Sequence, residues 1–228
     1  MNDFQPSYFF DLNPFAYPEL FADCQYVWEA IQKLPSFFEN YASYEIRTEI
    51  PTGAHIVNPE SIFIGKGTII EPGAYIRGPC VIGSHCIIRH GAYIRGSFVC
   101  GDHCVIGHDT EIKTAIFLNH VHAAHFAYVG DCILGNRVNL GAGTKCANLR
   151  FDHQPIVIQD SHQEIETGLK KLGAMMGDGS QTGCNAVVLP GTCIGREVQI
   201  NAGVTIGGNI PSYHFVASPA KPLIRKCK

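Results

Sequence analysis

The sequence predicts a mainly β protein, a parallel β-helix, on three observations. An apolar residue returns every sixth position from Ile64 through Ile70, Ile76, Ile82, Ile88, Ile94, Cys100, Ile106 and Ile112 to Leu118. A small or compact residue stands four places later at Thr68, Ala74, Cys80, Cys86, Ala92, Cys104 and Thr110. The pattern resumes at Met176, Thr182, Val188, Ile194, Ile200 and Ile206, with Ser180, Ala186, Thr192, Val198 and Val204 as fourth-place partners. A period of six fits neither the helix (about 3.6) nor the alternating strand (about 2). It is the repeat of a solenoid in which each hexapeptide makes one side of a triangular coil. Residues eighteen apart should then stack, in rows such as Ile70, Ile88, Ile106 and Ile76, Ile94, Ile112.

The elements follow in order. Residues 1–48 lack the repeat and are expected to form a helical N-terminal cap over the open first coil, where apolar core and strand edges would otherwise face water. Leu20, Phe21, Tyr26, Val27, Trp28, Ile31, Leu34, Phe37 and Phe38 have helical spacing, and Pro35 is expected to end one helix before Ser36 begins another. The β-helix domain is assigned to residues 49–228. Gly65, Gly83, Gly101, Gly107, Gly183, Gly195 and Gly207 each follow an aliphatic position, where the turn needs positive φ or close backbone approach. Phe98 and Ile116 are too bulky for the narrow interior site, so a local bulge is expected there. After Leu118 the phase is lost: residues 120–125 read as a short irregular excursion, and Val129, Leu134, Leu140 and Cys146 restore the count. A second break, residues 147–174, contains a plausible hairpin of Pro155-Ile156-Val157-Ile158 and Glu164-Ile165-Glu166 around Asp160-Ser161-His162. It is expected to be extruded and to reach a neighbouring subunit, because loops that a scaffold does not need tend to carry function.

Composition narrows the function classes. Charged residues are 16% and the formal net charge is −3, so no basic field exists to hold nucleic acid or an acidic membrane. No run of eighteen apolar residues occurs and no basic n-region opens the chain, which reads as cytoplasmic. The 10 cysteines include no CxxC pair. Cys80, Cys86 and Cys104 occupy the small interior position, where a reduced thiol is a compact apolar filler, and abundant free Cys suits a reducing compartment.

Chemistry concentrates around the first phase break. His120, His122 and His125 crowd it with Tyr128 close behind, and imidazole titrates near neutral pH. Arg95 and Lys113 are eighteen apart and should stack; two stacked cations suit a phosphate, while with Glu111 they equally fit a solvated charge ladder.

The strings Glu111-Ile112-Lys113, His125-Phe126-Ala127-Tyr128-Val129-Gly130-Asp131 and Val138-Asn139-Leu140-Gly141-Ala142-Gly143-Thr144, with Asn148, resemble the acetyltransferase half of the bifunctional N-acetylglucosamine-1-phosphate uridyltransferase family. Residues 168–178, GLKKLGAMMGD, are more similar to the archaeal sugar-1-phosphate nucleotidylyltransferase/acetyltransferase branch. The match covers about residues 50–222 and lacks the glycine-rich phosphate loop of a nucleotidyltransferase, so uridylyl transfer is not expected. The resemblance implies a left-handed β-helix, a homotrimer, and acetyl transfer from acetyl-coenzyme A to the amine of a hexosamine 1-phosphate, glucosamine 1-phosphate favoured. It places His125 on the general base and Glu111 on its acidic partner. Arg95 and Lys113 fall on sugar-phosphate positions and Tyr128 and Asn139 on acceptor contacts. Ala142, Asn148, Leu149, Cys184 and Ala202 fall on the coenzyme A side, and no metal is expected at the catalytic centre. A separate nucleotidyltransferase is a conceivable partner.

Two departures stand out. Cys184 replaces a serine near the thioester carbonyl, and Arg150-Phe151-Asp152-His153-Gln154-Pro155 replaces a lysine-bearing segment. The tail Ser218-Pro219-Ala220-Lys221-Pro222 resembles the end of many hexapeptide acyltransferases beside the coenzyme channel. Two alternatives stay open: an inactive sugar-phosphate-binding scaffold, and a zinc enzyme of the γ-carbonic anhydrase type, which shares the solenoid. For the latter, His-x4-His recurs at His85/His90, His103/His108 and His120/His125.

Overall fold

The computed structural model describes residues 4–159 and 164–218. Short parallel strands stack into a left-handed β-helix of about 9 turns with three faces. The predicted rows form. Ile70, Ile88 and Ile106 continue in register through Ala123, Leu140, Thr182 and Ile200 to Val216 on one face. Ile76, Ile94 and Ile112 continue through Val129, Cys146 and Val188 to Ile206 on the next. These side chains fill one continuous interior core, and their burial from water drives coil-on-coil stacking.

The corners explain the glycines differently from the sequence reading. Gly65, Gly83 and Gly107 do not take positive φ; they sit where coils touch. A Cβ on Gly107 would lie 1.6 Å from the Ala124 carbonyl oxygen. Left-handed backbone falls instead on the corner residues, one corner running Gly67, His85, His103, His120, Arg137, Gly179, Glu197, Tyr213 and another Gly73, Gly91, Asp109, Phe126, Gly143, Asn185, Gly203.

The phase break read after Leu118 is a shortening of two successive coils by one residue each. Tyr93 pairs with Glu111, eighteen on, but Glu111 pairs with Tyr128 and Tyr128 with Lys145, each seventeen on. The lost residues let strands Glu111–Phe117 and Tyr128–Leu134 run unbroken round the third corner through Thr114 and Asp131, both at positive φ. Phe117, not Leu118, therefore occupies the interior row between Cys100 and Leu134. Phe98 does face inward, its ring edge-on to Phe117 at 5.0 Å between centroids. Ile116 points outward and Ala115 takes the narrow site, so no bulge is needed. Residues 120–125 are no excursion: His122–His125 is a regular strand between those at Val105–His108 and Asn139–Leu140.

The N-terminal segment runs along the flank of the solenoid rather than over its first coil. Helix α1 (Pro6–Phe9) lies beside the late coils, where Arg196 Nη2 donates to Ser7 O and the Asp178 amide to Phe9 O. The chain then passes Asn136 and Asn119, whose Nδ2 groups donate to Asp11 O and Pro14 O. Phe9, Phe10, Phe15, Phe21, Trp28 and Leu34 join the outward Val81, Val99, Ile116, Ile133 and Met175 in a second core. Helix α2 (Glu29–Asn40) contains Pro35 without ending there. The stripe Ala30, Ile31, Leu34 and Phe38 is buried, which outweighs the one backbone bond the ring removes. No helix among the described residues is long and apolar enough to cross a membrane.

Residues 147–174 leave the ladder, so Lys145 pairs with Val187, forty-two on. The expected hairpin forms between Val157–Gln159 and Glu164–Glu166; its turn, with Asp160, Ser161 and His162, lies outside the described residues, as does the tail at 219–222. Its apolar side folds back on its own chain, with Ile156, Ile158 and Ile165 in the flank core and Gln32 Nε2 donating to Thr167 O.

Candidate active site

The corner of Phe126 and Gly143 gathers four of the expected site residues on one edge. His125, Ala142, Cys184 and Ala202 each precede a positive-φ residue there. Backbone bonds tie them coil to coil: Gly143 N donates to His125 O at 3.0 Å, Asn185 N to Ala142 O at 2.8 Å, and Gly203 N to Cys184 O at 2.8 Å. His125 and Cys184 are exposed. The His125 ring lies 6.3 Å from Phe126, and its nitrogens have no hydrogen-bond partner among the described residues.

The face just past this edge carries Tyr93, Glu111, Tyr128 and Lys145 in register. Glu111 is held by Arg95, Nη1 to Oε1 at 2.7 Å, and not by His125. Within the one chain the Glu111 carboxylate is thus the partner of Arg95. Lys113 Nζ donates to both oxygens of Asp131 at 2.9 and 2.8 Å, and Asn148 Nδ2 donates to Asp131 Oδ2 at 2.5 Å. Arg95 and Lys113 do lie side by side, as their spacing implies, yet each already faces a carboxylate. Burial, then the neighbouring Glu111 charge, pushes the Tyr128 phenol up, while a hydrogen bond from Asn148 opposes the shift. Gly130 makes room for this group: a Cβ there would lie 2.6 Å from Asn148 Nδ2 and 2.7 Å from the Tyr128 hydroxyl.

Two expected residues sit elsewhere. Asn139 lies on the opposite side of the edge from Tyr128, in register with His122 and Gln181. Asn148, expected on the coenzyme side, is bound into the Lys113–Asp131 cluster. Leu149 lines a largely apolar cavity of about 510 Å³ with Ala147, Phe151, Ile156, Leu189 and Pro190, and Phe151 is fully exposed. Arg150 does not supply a free cation, since its guanidinium grips Asp152 at 2.9 and 2.6 Å and pulls that carboxyl down. Sequence reasoning gave no role to Asp131 and did not single out Lys145 or Arg137. Both placements needed the shortened register: Lys113 pairs with Gly130, next to Asp131, and Tyr128 pairs with Lys145.

Among the described residues, Cys86, Cys100 and Cys104 are the one set of three metal-ligand-type groups lying within 4.8 Å of one another. They are buried in the solenoid interior, and the Cys86 and Cys104 thiols donate to Gly101 O and Leu118 O at 3.3 and 3.1 Å. Burial pushes Cys100 and Cys104 well up, whereas hydrogen bonds with Cys100 and Cys104 draw the Cys86 thiol down to about 4.

Comparison with known proteins agrees with this architecture. Residues 61–96 match the bacterial transferase hexapeptide (six repeats) family. The bifunctional protein GlmU of Methanocaldococcus jannaschii is 35% identical over 119 residues, 52% of this chain and 29% of that protein. The GlmU of Methanococcus aeolicus is 32% identical over 182 residues, 79% of this chain and 44% of that protein. An uncharacterized acetyltransferase, YaiX, of Escherichia coli O6:K15:H31 is 34% identical over 151 residues, 66% of each chain. The chain thus spans less than half the length of these bifunctional relatives. With the solenoid and its repeat together, the chain is a hexapeptide-repeat β-helix protein, similar over much of its length to proteins described as acetyltransferases.

Proposed function

We propose that the protein transfers an acyl group from a coenzyme A thioester to the amine of a phosphorylated amino sugar, with acetyl and a hexosamine 1-phosphate as the favoured pair. The observation that carries this reading is the exposed His125 imidazole, whose nitrogens have no hydrogen-bond partner among the described residues, on one edge with Ala142, Cys184 and Ala202. An amino sugar at neutral pH is largely ammonium, so a base must take its proton before the lone pair can attack. His125 takes that proton. The amine nitrogen then bonds to the thioester carbonyl carbon, giving a tetrahedral oxyanion; the C–S bond breaks, the nitrogen sheds its second proton to the departing coenzyme A thiolate, and His125 passes the first proton to solvent. Cys184 supplies no hydroxyl for the oxyanion; its own amide N–H, which has no acceptor among the described residues, is the donor we place there.

Glu111 and Arg95 act in this reading as a paired wall beside the amine rather than as a relay. Tyr128 and Asn148 bracket the acceptor on the side of Lys113. Ala142 and Ala202 leave the edge bare for the pantetheine arm, and Leu149 borders its outer end. We place the site in a homotrimer: exposed Phe151 and Leu149 give residues 147–159 an apolar outer side that a neighbouring solenoid would cover. The test is thiol release from acetyl-coenzyme A over a panel of amino-sugar phosphates, with sedimentation for the assembly. No acceptor-dependent thiol from folded protein would overturn the reading, and a monomer across a wide concentration range would overturn the shared site.

A further inference from the structure

The face of the solenoid that leads into His125 carries a second cluster. His120, His122, Arg137 and Asn139 line a groove of about 360 Å³. His120 and Arg137 occupy successive corner positions, each held at positive φ, so both side chains project beside the strand that bears His122. His103 stacks on His120 at 4.8 Å between centroids with planes 3° apart, which fixes that ring. Arg89 lies above on the same face and its charge reaches His122. None of the groove's lining residues is a carboxylate, and neither Arg89 nor Arg137 forms an ion pair among the described residues. Asp102 accepts from the Ser84 amide and Glu71 from the His90 amide, and Glu197 stands two levels beyond Arg137 in the same corner row, its carboxylate lying over Gly179. This contrasts with Arg95 and Lys113, whose charges are already matched.

We propose that this groove is an anion subsite that takes the phosphate or diphosphate group of the acceptor. The assignment rests on the acyl-transfer reading for the word acceptor, but the anion site itself does not. His122 and His125 stand three residues apart on one strand, roughly 10 Å at about 3.3 Å per residue, so a phosphate in the groove leaves a sugar-sized gap to the base. Arg137 supplies a planar fork of donors and Asn139 an amide, while the two imidazoles add N–H donors. A phosphate here meets no carboxylate among the lining residues, whereas one at Lys113 has to displace Asp131.

Calorimetric titration of the full chain with inorganic pyrophosphate, glucosamine 1-phosphate and uridine diphosphate tests the site. Binding should weaken about tenfold or more in Arg137→Gln and in His122→Gln, as expected for loss of a charge-assisted hydrogen bond, and stay within about threefold in Lys113→Met. Tighter binding of the sugar monophosphate than of the nucleotide assigns a monophosphate acceptor, and the reverse assigns a nucleotide-linked one; both support the site. Equal pyrophosphate affinity in wild type, Arg137→Gln and His122→Gln overturns it, as does loss of binding in Lys113→Met. In unmodified protein, pyrophosphate should shift the imidazole resonances of His120 and His122, and unmoved resonances would also overturn it. If pyrophosphate binds as described but no acceptor releases thiol, the acyl-transfer reading fails and the groove stands; if thiol is released and the variants leave both affinity and KM unchanged, the groove fails alone.

Discussion

Asp131→Asn should destabilise the protein far more than an ordinary surface substitution, because it strips the counter-charge from Lys113. The two groups meet at 2.8 Å, with 24% of the Lys113 side chain and 8% of the Asp131 side chain exposed. Opposite charges about 3 Å apart attract by about 5 kcal/mol at an effective dielectric of about 20. Ordering the lysine side chain costs about 1.5–2 kcal/mol, and desolvation of the carboxylate removes a comparable amount. A net coupling of about 2 kcal/mol remains. Asp131→Asn forfeits that coupling and the charge-assisted bond from Asn148, so its total cost is about 3 kcal/mol. Urea denaturation at pH 7 and fixed protomer concentration measures it, in a cycle of Asp131→Asn, Lys113→Met and the double variant. The double variant should recover about 2 kcal/mol relative to the sum of the singles. A coupling below about 0.5 kcal/mol would refute the pair as a structural unit and return Lys113 to the pool of cations free for substrate.

Three further outcomes are expected. His125→Ala should lower kcat by about 10²–10⁴-fold, the usual contribution of a general base, with coenzyme A binding by calorimetry nearly unchanged; near-normal turnover would remove His125 from the chemistry. Gly107→Ala should cost more than about 3 kcal/mol or abolish soluble expression, because its Cβ meets the Ala124 backbone at 1.6 Å, whereas Gly203→Ala, with open space but a φ of +69, should cost only about 1–2 kcal/mol; similar losses in the two would show that coil contact is not the constraint. Burial, then the His120 and Arg89 charges, hold the His122 imidazole below its usual range, so its stabilising contribution is full above the unfolded value of about 6.5 and is lost as pH falls through the folded value. The melting temperature in phosphate-free buffer should therefore drop between pH 7 and 5.5, and drop less in His122→Gln; parallel curves would sink that account.

The solenoid was legible because its interior repeats one physical demand, a side chain fitting a narrow coil, at every stacked level. Ile70, Ile88 and Ile106 show that demand without interference from the surface. Where the coil shortens by one residue the pattern still reads as hydrophobic, so Phe117 and Leu118 could not be told apart without the ladder. Both are buried, one in each core. The flank position of the N-terminal segment was hidden for a related reason. Val81, Val99, Ile133 and Met175 mark a covered outer face, but alternation inside a hexapeptide is too short to separate outer apolar residues from inner ones. Pro35 within α2 shows tertiary burial overriding a local breaker. Of the candidate site, motif resemblance named His125, Ala142, Cys184 and Ala202, which the structure places on one edge. It could not show that Arg95 and Lys113 arrive with partners, since Asp131 reaches Lys113 from the following coil.

A stack of coils behaves as a one-dimensional chain of neighbours, in which each level is secured by the two beside it and damage at one end need not be felt at the other. The N-terminal segment changes that dimension. Because Ser7 and Phe9 bond to the level of Arg196 and Asp178, Asp11 and Pro14 bond to the levels of Asn136 and Asn119, and Tyr41 meets Phe63, one short stretch of chain works like a splint laid lengthwise across early, middle and late coils. Fraying at the last turn then has to loosen contacts that also grip the first, and the edge bearing His125 and Cys184 is kept in alignment by a segment that touches neither residue.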